Sequence, residues 1–152
     1  MRKLLLICLF VTCFSNSHSQ VPVANTSMAN GLKNTIVKEK QGTYKDQNSG
    51  RITGQYTIVY VIDTVQHQLL TVSVNTIMQG QKFAYRYFFE QNKLQKAVSG
   101  IVNNGATIIQ NIYDYDEEDR TMKQKDLETF SETDEKYALL KESKSFLAVL
   151  QN

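Results

Sequence analysis

Period-two patterning runs from Gln55 to Tyr115 and is interrupted only by short turn sequences; it constrains the fold more than any other feature of the chain. Tyr56, Ile58, Tyr60 and Ile62 alternate with Thr57, Val59 and Val61, which predicts a central strand covered on both faces. From Leu69 to Ile77, Leu70, Val72 and Val74 alternate with Thr71, Ser73 and Asn75, the pattern of a half-buried strand. Gln79-Gly80-Gln81 reads as a turn, Lys82 to Glu90 as a third strand, Gln91-Asn92-Lys93 as a turn and Leu94 to Ile101 as a fourth strand. Asn103-Asn104-Gly105 is a strong hairpin signal because asparagine and glycine accept positive φ. Thr107 to Tyr113 is the fifth strand. Turns this short join only antiparallel neighbours, so the expectation is a five-stranded antiparallel meander.

Helices are expected on either side. Met28, Leu32 and Ile36 are spaced by four, which predicts a helix over 24–39, with Gly31 weakening it by about 1 kcal/mol. Residues 42–54 are polar and read as a loop. Residues 114–119 form an acidic loop, and 122–130 fit neither period. From Ser131 a second helix is expected, with Ser131 able to cap it and Asp134 and Glu135 suiting its first turn. Leu139, Phe146 and Leu150, with Leu140 and Leu147, make its apolar stripe. The fold class is therefore α+β: an N-terminal helix, the meander, then a C-terminal helix, in two layers.

In general topology this order resembles cystatin-like and NTF2-like small domains, in which a helix packs on a curved antiparallel sheet. The cystatin inhibitory loop carries Gln-x-Val-x-Gly. Here Gln95-Lys96-Ala97-Val98-Ser99-Gly100 has one residue too many between Gln and Val, so the resemblance implies a fold and not an inhibitory site.

The start of the chain predicts export. Arg2 and Lys3 precede an apolar run from Leu4 to Phe14, and Ser17 and Ser19 are small residues spaced for cleavage before Gln20. The run is too short to cross a membrane, which takes about 20 apolar residues. Lipid attachment at Cys13 is a poorer fit, since Phe10-Val11-Thr12 departs from a lipoprotein box. The expected organisation is a signal peptide over 1–19 and one domain over 20–152. Cleavage removes Cys8, Cys13 and His18, leaving no thiol and His67 as the one histidine. A disulfide-free exported chain suits a bacterial periplasm, or secretion from it, better than a small eukaryotic secreted domain. Asn25-Thr26-Ser27 matches a glycosylation sequon.

The mature chain has 15 basic and 15 acidic side chains, which speaks against a nucleic-acid surface. The charges are unevenly placed. Residues 20–101 hold nine basic and four acidic side chains; residues 102–152 hold six and eleven. The simplest expectation is that the two parts attract each other within the fold.

The densest local feature is Phe83-Ala84-Tyr85-Arg86-Tyr87-Phe88-Phe89. Phe83, Tyr85, Tyr87 and Phe89 share one strand face. A simple turn at 91–93 would set Tyr85 opposite Val98 and Phe83 opposite Gly100, a ring covering a cross-strand glycine. Such a face serves as core, or as an aromatic wall. Tyr85, Tyr87 and Phe89, with Tyr60 from the first strand, are the candidate binding residues.

Chemistry is sparsely equipped. Asp114-x-Asp116-x-Glu118 imitates the start of a calcium loop, but Asp119 stands where glycine is needed and Lys125 where the bidentate glutamate is needed. His67 lies in a turn sequence, Val65-Gln66-His67-Gln68, with no second histidine or cysteine to share a metal once the expected signal peptide is removed. No Gly-x-Ser-x-Gly and no phosphate loop occur. Asp63 and Glu90 are the remaining carboxylate pair. No cofactor and no metal are expected. The sequence thus predicts a non-catalytic exported domain that contacts a protein or peptide, a class that includes inhibitors and immunity-type proteins of other exported enzymes. The alternative is a small-molecule carrier with an apolar pocket between sheet and helices.

Overall fold

The computed structural model describes residues 34–47 and 49–151. Six strands form one antiparallel sheet in the order of the chain: β1 (Thr35–Lys45), β2 (Ile52–Asp63), β3 (Gln68–Met78), β4 (Gln81–Glu90), β5 (Lys93–Asn103) and β6 (Ala106–Asp114). Three helices follow, α1 (Glu117–Thr121), α2 (Gln124–Ser131) and α3 (Glu135–Phe146), and a 3₁₀ turn closes the chain over Leu147–Gln151. The class is α+β, and the meander from β2 to β6 matches the five strands expected.

Several expectations are corrected. The sheet has six strands, because residues 35–45 extend along β2 with Ile36 opposite Ile62 and Gly42 opposite Tyr56. The helix expected over 24–39 therefore fails over 35–39, where β-branched Thr35, Ile36 and Val37 favour an extended chain and gain a strand partner. Its earlier part, like the signal peptide expected over 1–19, lies outside the described residues. The loop expected over 42–54 shortens to the turn between Lys45 and Ile52. At the other end, Ser131 does not cap the last helix. It closes α2, its hydroxyl donating to the Glu128 carbonyl, while Asp134 caps α3 by accepting from the Lys136 amide.

One face of the sheet carries the core. Tyr56, Ile58, Tyr60 and Ile62 of β2 line up with Thr76, Val74, Val72 and Leu69 of β3, and all are buried. α3 and the 3₁₀ turn pack on this face, and Phe146 is 2% exposed. Its ring stands edge-on to Tyr87 and to Tyr60, at 5.0 and 6.1 Å between centroids. Each such buried side chain contributes about 1.5–3 kcal/mol. Among the described residues no element packs on the opposite face of β2, where Thr57, Val59 and Val61 are half-buried.

Four register shifts adjust the pairing, one in every strand pair except β3–β4. At the β4–β5 hairpin Phe88 lies opposite Lys96 but Phe89 opposite Leu94, leaving Gln95 as the extra residue. That single insertion shifts the register: Tyr85 faces Ser99 rather than Val98, and Phe83 faces Ile101 rather than Gly100. A ring does cover a cross-strand glycine, but elsewhere: Tyr56 lies over Gly42, where an added Cβ would come within 2.3 Å of the ring. His67 sits in the exposed β2–β3 turn with φ 50°, as read from the sequence.

The acidic segment is spent on structure. Asp116 and Asp119 form a reciprocal capping box on α1. Asp114 pairs with Lys96 at 3.4 Å and Glu117 with Lys93 at 3.2 Å, so acidic residues after 101 meet basic ones before it.

Candidate binding surface

The four candidate residues separate by depth. Tyr87 is fully buried, and Phe89 and Tyr60 are buried beside it; Tyr85 is half-buried. β4 aims Tyr85, Tyr87 and Phe89 at the helix side, and β2 aims Tyr60 there through the Tyr60–Val72–Tyr87 row. Phe146 fills the space between Tyr60 and Tyr87, so the layer between sheet and α3 is packed by rings at these residues.

A residue that the sequence reading passed over sits at the centre of this layer. The Tyr87 hydroxyl donates to Glu142 Oε2, while Glu142 Oε1 has no hydrogen-bond partner among the described residues. Burial pushes the Glu142 carboxyl up to about 7, with the Tyr87 bond pulling the other way. Burial likewise pushes the Tyr60 hydroxyl up to about 12 and that of Tyr85 higher, with the Glu142 charge adding to both. The signal in the sequence was positional: Glu142 is three residues after Leu139 and four before Phe146, on the apolar stripe itself.

The carboxylate pair considered from sequence has other work. Asp63 Oδ1 accepts from the amides of Val65 and Gln66 at 2.8 and 2.9 Å and so shapes the β2–β3 turn. Glu90 lies at the β4–β5 hairpin opposite Lys93. Among the described residues no cluster of three or more histidine, cysteine or acidic side chains is arranged to hold a metal.

Among the described residues, the fold leaves β6 open. It is the last strand of the meander and hence an edge of the sheet. Ile108, Ile109 and Ile112 are 54, 58 and 55% exposed. Ile109 and Ile112 are three residues apart and would point to opposite faces of a regular strand. The bulge at Gln110 changes this. Ile109 lies opposite Gly100 and Ile112 opposite Val98, which places both on the face away from the helices. Ile108, opposite Ile101, lies on the helix side. Beside the strand, at the β3–β4 and β5–β6 hairpins, is an open hollow of about 780 Å³ lined by Gln81, Lys82, Ile101, Ile108, Gln110 and the 103–105 turn.

The two edges of the sheet differ in chemistry. β1 carries Lys38, Glu39, Lys40 and Lys45, and its register turns Lys38 and Lys40 toward the helix side, where Lys38 Nζ donates to the Val149 carbonyl. Charges, and inward lysines above all, discourage a further strand from adding. From Ala106 to Tyr113, β6 has no charged residue and no proline. This contrast was readable in part: the last strand of a meander must be an edge, and 106–113 is visibly uncharged. The bulge that aligns Ile109 with Ile112 has no sequence signature.

No family model, no curated protein and no solved structure matches this chain.

Proposed function

We propose that this chain is an exported, non-catalytic binding domain that contacts a protein or peptide, and that the contact is made along β6. The observation that carries the reading is the unguarded edge: nine residues of strand with three exposed isoleucines and no charge before Asp114. An open edge offers backbone donors and acceptors to an extended partner, and side chains flanking it supply selectivity. The adjoining hollow, with its amide side chains and Lys82, has room for side chains of such a partner. Blocking another exported enzyme is a role compatible with this mode. Among the described residues no helix is long and apolar enough to cross a membrane.

A photo-crosslinking residue placed at Ile109, in the cells that make the protein, tests the reading. Discrete adducts from position 109 and none from Gln41 on the opposite edge are expected. No adduct at 109, or equal adducts at both edges, would remove the support for β6 as the contact surface.

A further inference from the structure

Resting on that reading of β6, we infer that the partner along this edge is a second copy of this chain. The two β6 strands pair antiparallel, so that two six-stranded sheets join into one about a two-fold axis. Self-pairing of this kind is isologous: each residue must find an acceptable partner on the same strand. β6 satisfies this in one register. With the axis between Gln110 and Asn111, Ile109 faces Ile112 of the second copy on the side away from the helices, twice over. Ile108 faces Tyr113 of the second copy on the helix side. The faces match because the Gln110 bulge has put Ile109 and Ile112 on the same side and left Ile108 and Tyr113 together on the other.

Charge favours the same choice. A strand that meets its own copy brings any charge near its like, and like charges across a ladder are unfavourable. β6 itself has none from Ala106 to Tyr113, and the one carboxylate bonded to its helix side, Glu135, accepts from Asn111 Nδ2 at 2.8 Å and from the Tyr113 hydroxyl at 2.6 Å within its own copy. Asp114 falls opposite Thr107 in this register and already has Lys96 at 3.4 Å within its own sheet. β1 fails the same test, since its lysines recur along the strand. Cross-strand isoleucine pairs and closure of an open edge are the gains, and neither demands rearrangement of the sheet.

Light scattering over a range of concentrations, on the protein as its cells produce it, decides the matter. The expected result is twice the chain mass for the native sequence and half that value for Ile109→Lys/Ile112→Lys. Val65→Lys, on an exposed turn, retains the doubled mass. Ile109→Thr/Ile112→Thr, which keeps β-branched residues in the strand, shifts the equilibrium toward single chains by at least tenfold and guards against a variant that fails to fold. A native protein of single-chain mass at every concentration, or lysine variants that stay double, overturns the inference. An adduct from position 109 carrying the mass of a different protein also overturns it while leaving the reading of β6 as a contact edge intact.

Discussion

The Tyr87 hydroxyl on β4 donates to the Glu142 carboxylate on α3, a polar bond set inside the interface that Phe146 and Tyr60 otherwise fill with rings. Burial holds this carboxyl at about 7, against 4.5 for an unperturbed glutamate. Between those values the native protein binds more protons than the unfolded chain, so stability falls as pH rises through the window and levels off above it. The full span is on the order of 3 kcal/mol. Glu142→Gln removes this slope and raises the urea midpoint at pH 8, with little change at pH 4. An unchanged pH profile in the variant would show that Glu142 is not the titrating group.

Tyr87→Phe takes away the donor. At pH 8 it strands a buried carboxylate and costs about 1–3 kcal/mol; at pH 5, with the carboxyl largely neutral, the cost is smaller. Equal losses at both pH values would mean that the hydroxyl acts only through packing.

Phe146→Ala empties the space between Tyr60 and Tyr87. A loss of about 3–5 kcal/mol is expected from chemical denaturation, because the rings on either side belong to strands that cannot collapse inward. A loss below about 1 kcal/mol would contradict the tight seating of α3 on the sheet.

Gly42 is covered by the Tyr56 ring, and an added methyl would lie 2.3 Å from it. Gly42→Ala therefore displaces the ring and costs about 1–3 kcal/mol. Gly42→Ala in a Tyr56→Val background should recover part of that loss; an equal effect in both backgrounds would place the cause elsewhere.

Lys136 Nζ reaches Asp119 Oδ2 at 2.7 Å, with the Asp119 side chain only 9% exposed. Lys136→Met leaves that carboxylate without its cation, and a loss of about 1–3 kcal/mol is expected. Lys93→Met, which breaks the exposed pair with Glu117, should cost under about 1 kcal/mol. Similar losses from the two variants would contradict the difference in burial.

The strands were legible because their signals are local: alternation sets the faces, and Asn103-Asn104-Gly105 sets a turn whatever lies around it. β1 was not, because Ile36 fits both a four-residue helical spacing and a strand, and only its pairing with Ile62 decides. The register error at Tyr85 has the same origin. Gln95 is an ordinary residue in an ordinary strand pattern, and nothing in its neighbours announces a bulge. Alternation alone puts Tyr85, Tyr87 and Phe89 on one face of their strand, but which side α3 covers is a tertiary fact. Glu142 and the edge at β6 were accessible in principle, the first as a charge on an apolar stripe, the second as the uncharged end of a meander.

The account depends most on β6 being an engaged edge. Amide hydrogen exchange across 106–114 in the native protein, set against Ile109→Lys/Ile112→Lys, tests this directly. The β6 amides that face away from β5 should exchange slowly in the native protein and quickly in the variant, while the β2–β3 core exchanges alike in both. Fast exchange of those amides in both proteins would show that the edge stands bare.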